Sequence, residues 1–181
     1  MKVLREVLMH VDTMAVGDRI KIRILGEKHT ATAIQMEKDG VLFLLDDCLK
    51  EKRPMNEDGG TDGGYDSSDM RDLLRDAERT VPEKTRKRMV AFNNGDLFRL
   101  LSLKEMFGLD KDWKEVGGQI PWLKDRKHRI VVDKAGDLCW YWLSTPVSAS
   151  DFAFVSNNGN ATGHNASNSV GIRPAFKISR S

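Results

Sequence analysis

Residues Arg19–Ile24 alternate polar and apolar side chains strictly, so Ile20, Ile22 and Ile24 share one face of a half-buried strand. The stretch 30–36 is rich in β-branched residues, and Val41–Leu45 is a short, wholly apolar run. Glu37-Lys38-Asp39-Gly40 joins them, and Asp-Gly is a favoured pair for a tight hairpin turn. Residues 1–53 are therefore expected to form an antiparallel β-meander.

The period then changes. Met70, Leu73, Leu74 and Ala77 recur at helical spacing behind Ser67 or Ser68 as a cap, with Asp69 in the first turn. Pro82 opens a second short helix expected to run to Met89. Ser102-Leu103-Lys104-Glu105 is a capping box, so a third helix starts there and ends near Gly108. Between the meander and the first helix, 59–64 is glycine-rich. It lacks the Gly-Lys-Ser/Thr of a phosphate loop, and its aspartates would repel a phosphate, so it reads as a flexible connection. Residues 54–110 thus form a helical middle.

From 111 to 181 the pattern is β-rich. All four tryptophans lie here, 137–143 reads as a central strand, and Asp151–Val155 and 171–178 read as two more. Between these lie 156–169, dense in Asn, Ser and Gly. Their place between strands predicts ordered turns rather than a linker. The fold class expected is α+β, in one domain.

Composition narrows the classes. The chain has 181 residues, 40% of them apolar, with 29 basic and 27 acidic side chains and a net charge of +2. No apolar run approaches the ~20 residues of a membrane span. Residues 1–10 lack the apolar core of a signal peptide, so a cytoplasmic site of synthesis and no membrane insertion are expected. The near-neutral balance gives no global field for nucleic acid, and no nucleic-acid partner is expected. The basic run Lys84, Arg86, Lys87, Arg88 is either a phosphate-contacting patch or a solvated helix face. Cys48 and Cys139 have no CxxC partner and read as buried reduced thiols, with a single disulfide left open. The four histidines form no metal-binding pair. No metal and no cofactor are expected.

Four phrases carry a resemblance: GGYDSSDMR at 63–71, LLSLKEMFG at 100–108, WYWLSTP at 140–146 and VGIRPAF at 170–176. In that order they resemble a bacterial and phage domain family of unassigned function whose C-terminal half looks like a C-type-lectin-like fold. Ser144 stands where that family usually has an arginine, so any role of that arginine is not carried over. The ending is also similar to the variable proteins of diversity-generating retroelements, in which a segment before a Gly-x-Arg-Pro ending is rewritten at adenine-rich codons. The segment 148–169 has the matching composition.

The resemblance implies a non-catalytic module that binds a protein or a surface glycan, of phage or prophage origin, with retroelement diversification as a further expectation. The candidate binding residues are Ser148, Ser150, Asp151, Ser156, Asn157, Asn158, Asn160, Thr162, His164, Asn165 and Asn168. The alternative for the same residues is a purely structural set of polar turns. Two other functions stay open. One is a structural or assembly protein, virion-associated. The other is an oxidoreductase like the formylglycine-generating enzymes of the same broad fold, which use a cysteine pair; Cys139 is alone in its half of the sequence. Calcium-dependent sugar binding is not expected, because the Glu-Pro-Asn, Gln-Pro-Asp and Trp-Asn-Asp triplets are absent. Arg173, on an apolar strand, is expected to be buried and paired.

Overall fold

The computed structural model describes residues 13–133 and 135–180. The reading of residues 1–10 lies outside them. The chain forms β1 (Arg19–Ile24), β2 (Glu27–Met36) and β3 (Val41–Leu45), then α1 (Asp69–Thr80), α2 (Glu83–Arg86), β4 (Met89–Val90), β5 (Phe98–Arg99) and α3 (Leu103–Phe107). It continues with β6 (Val131–Val132), β7 (Leu138–Cys139), β8 (Tyr141–Pro146), β9 (Asp151–Val155), β10 (Ala161–Asn165) and β11 (Ala175–Ile178). The architecture is mixed and strand-rich with few helices. A curled antiparallel sheet runs β1-β2-β3-β11-β4, with β5 also on β11, beside a smaller β10-β9-β8 sheet and a β6-β7 pair.

The middle of the large sheet is buried on both faces, which explains the unbroken apolar run of β3. Val41, Phe43 and Leu45 pack with Phe176 and Ile178 against Met70, Leu74 and Ala77 of α1. Leu42, Leu44 and Ala175 face the opposite way, toward Met106 of α3 and Tyr141 and Leu143 of β8. β1 closes one edge, where alternation leaves Ile22 and Ile24 buried and the charged positions out. Ser68 caps α1 through the Arg71 N–H, and the Ser102–Glu105 capping box opens α3, which ends at Gly108 with φ 75°.

Several expected boundaries move, each for a tertiary reason. The second helix stops at Arg86, because Met89 is drawn into the sheet opposite Ile178. The strand expected at 137–143 breaks at Trp140, whose carbonyl accepts a 3.1 Å bond from the Gly171 N–H. The strand expected at 171–178 joins the ladder only from Ala175. Pro174 before it has no N–H, and Leu49 N–H donates to Ile172 at 2.8 Å instead. The glycine-rich segment is not a free connection. Asn56 Nδ2 donates to Gly60 O at 2.7 Å and Thr61 Oγ1 to Ser148 O at 2.8 Å.

Arg173 is 7% exposed and reaches three acceptors. Its Nε donates to Leu45 O at 2.7 Å, and its Nη1 donates to His128 O at 3.1 Å and to the Tyr141 hydroxyl at 2.9 Å. Burial is met by hydrogen bonds, as a charge at that depth requires.

Candidate functional site

The β9–β10 hairpin carries most of the candidate residues. Its register pairs Val155 with Ala161, Phe154 with Thr162, Ala153 with Gly163, Phe152 with His164 and Asp151 with Asn165. β9 itself is core: Phe152, Ala153 and Val155 are fully buried. β10 is the edge of its sheet and is half-exposed throughout. A buried strand thus holds a polar one at the surface.

The structure divides the eleven residues into two ends and a connecting strand. Ser148, Ser150, Asp151, Asn165 and Asn168 gather at one end. There the Ser148 hydroxyl accepts from the Ser150 and Asp151 amides at 3.2 and 3.0 Å, and Asn165 Oδ1 accepts from Ser167 N and Oγ at 3.0 and 2.7 Å. Ser156, Asn157, Asn158 and Asn160 form the turn at the other end, about 17 Å away at ~3.4 Å per residue over the five residues of β10. Thr162 and His164 lie between them. Asn157, Asn158, Asn160, Ser148, Ser150 and Asn168 are exposed, the other five half-buried. None of the eleven is buried.

The hairpin tip is docked rather than loose. Arg126 Nε donates to Asn158 O at 2.5 Å and Arg129 Nε to Gly159 O at 2.9 Å. Gly159 has φ 74°, and a Cβ there would sit 3.1 Å from Ile130 and 3.2 Å from Arg126 O, so only glycine fits the turn.

Two tryptophans flank β10, and sequence reading gave them no site role. Trp140 is 37% exposed, with its ring 5.8 Å from His164 and 5.8 Å from Phe154. Trp113 is 40% exposed at φ 63°, and its ring lies 3.8 Å from where a Gly163 Cβ would be. Thr61, from the glycine-rich segment, borders the Ser148 end. The exposed-aromatic signal was present in the sequence, but four clustered tryptophans do not reveal which are buried. Trp142 is, with Nε1 donating to Arg53 O at 2.9 Å.

In the basic run Lys84, Lys87 and Arg88 are exposed and Arg86 is half-buried, so the run is a solvated face at and just beyond α2. Lys87 pairs with Glu83 at 2.6 Å, and α2 has no buried residue.

Sequence spacing also hid the nearness of the two cysteines. Cys48 and Cys139 line one cavity of about 330 Å³ together with Lys50, Lys52 and Asp133. A Cβ on Gly171 would meet Cys48 Sγ at 3.1 Å and Trp140 O at 2.5 Å, so glycine is what lets the three segments meet. Both thiols are free. Burial, then the neighbouring Cys139, pushes the Cys48 thiol well above its ordinary value; burial, then Asp133, raises Cys139. Such thiols are protonated and weak nucleophiles near neutrality. Among the described residues no group of three or more His, Cys, Asp or Glu could hold a metal ion.

Residues 94–180 match the family model DUF6273, a domain of unknown function. The DUF6273 segment runs from before β5 to the end of β11, and so contains the hairpin, both flanking tryptophans and Arg173. No curated protein and no solved structure matches the chain. No helix among the described residues is long and apolar enough to cross a membrane.

Proposed function

We propose that this chain is a non-catalytic recognition module that uses the β9–β10 hairpin and its flanking tryptophans to bind a protein or a surface glycan. One observation carries the reading. Eleven polar residues, none of them buried, sit on and around a strand pair whose inner strand, β9, is packed into the core. Such a surface can change without unfolding its scaffold. Asn and Ser supply adaptable hydrogen bonds, and Trp113 and Trp140 supply the large amphipathic contacts that dominate binding surfaces.

The framework is proposed to be C-type-lectin-like, with phage or prophage origin, cytoplasmic synthesis, virion association and retroelement diversification as further parts of the reading. Its support is the motif order together with a last strand that returns to the middle of the large sheet and a separate small sheet that carries the exposed turns. The cysteine cavity favours a second reading, an oxidoreductase that uses Cys48 and Cys139. Their raised thiols weigh against it.

The test is replacement of Asn157, Asn160, Asn168 and Trp140 by alanine, with binding measured on a glycan array and against proteins from the source cells. Recognition by the hairpin requires an unchanged fold and lost binding. Unchanged binding would place the ligand elsewhere, and a thiol-dependent turnover abolished by Cys139→Ser would favour the second reading.

A further inference from the structure

We propose that a second cavity, between the large sheet and the two 3-10 turns Pro121–Lys124 and Arg126–His128, is a binding site for a small molecule bearing a phosphate or carboxylate. The cavity measures about 320 Å³, at the lower end for small-molecule sites. Arg19, Thr32, Asp46, Lys127, His128 and Arg173 line it. It is independent of the hairpin reading.

Arg173 is the deciding residue. Its side chain is among the buried charged groups, and its Nε and Nη1 are fixed by Leu45 O, His128 O and the Tyr141 hydroxyl. Nη2 has no partner among the described residues, and it is not among the buried unpaired atoms, so its two N–H groups remain as the free edge on the cavity. A guanidinium held by three bonds is oriented before any ligand arrives, and a free pair of donors in a partly desolvated site favours an oxyanion.

The surrounding charges agree. Arg19, Lys127 and Arg173 outnumber the single lining acid, Asp46, which is held by the Thr32 hydroxyl at 2.5 Å and by Arg19 at 3.4 Å, so the lining is positive on balance. Lys127 also contacts Asp125 at 2.9 Å, but both side chains are largely solvated and free to part. His128 stacks on Trp122 at 3.8 Å, and its Nδ1 lies 2.7 Å from Trp122 O, a contact that makes Nδ1 the donor. The stack forms one rigid wall. Net positive charge, an oriented guanidinium and a flat aromatic wall suit a small anionic molecule better than a polymer.

The experiment titrates the full chain with inorganic phosphate and, separately, with succinate, against sodium chloride at matched ionic strength. The Arg173 Nε–H and His128 ring signals are followed by NMR. Expected is a saturable shift with phosphate, with succinate or with both, beyond that of chloride, and the anion that saturates identifies the ligand class. Arg19→Gln/Lys127→Gln removes only exposed charge and should weaken binding about tenfold or more, the loss of a charge-assisted contact. If that pair does not fold, Lys127→Gln alone carries the comparison. No shift beyond chloride with either anion, or unaltered affinity in the variant, would overturn the proposal.

Discussion

Replacing Arg173 by alanine should cost the fold more than any surface change. The guanidinium makes three hydrogen bonds, at 2.7, 3.1 and 2.9 Å, and joins β3, the Arg126–His128 turn and β8. Bonds to a charged donor contribute about 1.5–3 kcal/mol each, and they are not additive. With the lower figure for each bond, reduced for non-additivity, the loss is about 3–4 kcal/mol, or about 10 °C of melting temperature for a chain this long. Arg173→Lys should fall in between, because one ammonium cannot reach all three acceptors. Tyr141→Phe removes a hydroxyl that accepts from Arg173 and donates to Arg129 O at 2.8 Å. Its effect should be non-additive with Arg173→Ala by about 1 kcal/mol in a double-mutant cycle. Differential scanning calorimetry of the native chain, the three single variants and the double variant measures all of this. A melting temperature of Arg173→Ala within about 2 °C of the native chain would show that the bonds count for nothing net.

Native Cys48 and Cys139 should react slowly with a disulfide reagent at pH 7, and both should react at once in denaturant. Because the Cys48 thiol is raised in the folded state, its stability contribution is complete below the unfolded value of about 8.5 and is lost as pH climbs beyond it. Melting curves should fall above that pH, and less steeply in Cys48→Ala. Glu105 shows the opposite sign. Burial would raise it, but Arg99, with bonds of 2.6 and 2.8 Å, and the Ser102 cap hold it below the ordinary carboxylate value. That stability is present above about pH 4.3 and lost as pH falls below it, so Glu105→Gln should flatten the acid limb of the melting profile. Ser102→Ala should cost about 1 kcal/mol by thermal melt, through the lost cap.

The parts of the fold legible in the sequence were those set by local pattern. Ile20, Ile22 and Ile24 announced β1 by alternation, Val41–Leu45 announced a buried strand, and Ser68 and Ser102 announced their helices by capping chemistry. What stayed hidden depended on partners far along the chain. Ala161–Asn165 has no apolar alternation because it is a half-exposed edge held by the buried β9, so it read as turns. The break at Trp140 is made by the Gly171 N–H, and the start of β4 by Ile178. Cys48 and Cys139 are far apart in the sequence yet line one cavity. The candidate residues were legible by composition, but their division between two ends of a hairpin was not.

The most direct test of the recognition surface is site-specific photo-crosslinking. A benzophenone side chain placed at Asn158, at Asn168 or at Lys84 on α2 samples the two ends of the hairpin and a control face. Each protein is irradiated with extract and surface glycans from the source cells. Recognition by the hairpin predicts the same adduct from Asn158 and Asn168 and none from Lys84. An adduct from Lys84 alone, or none from either hairpin position, would contradict it.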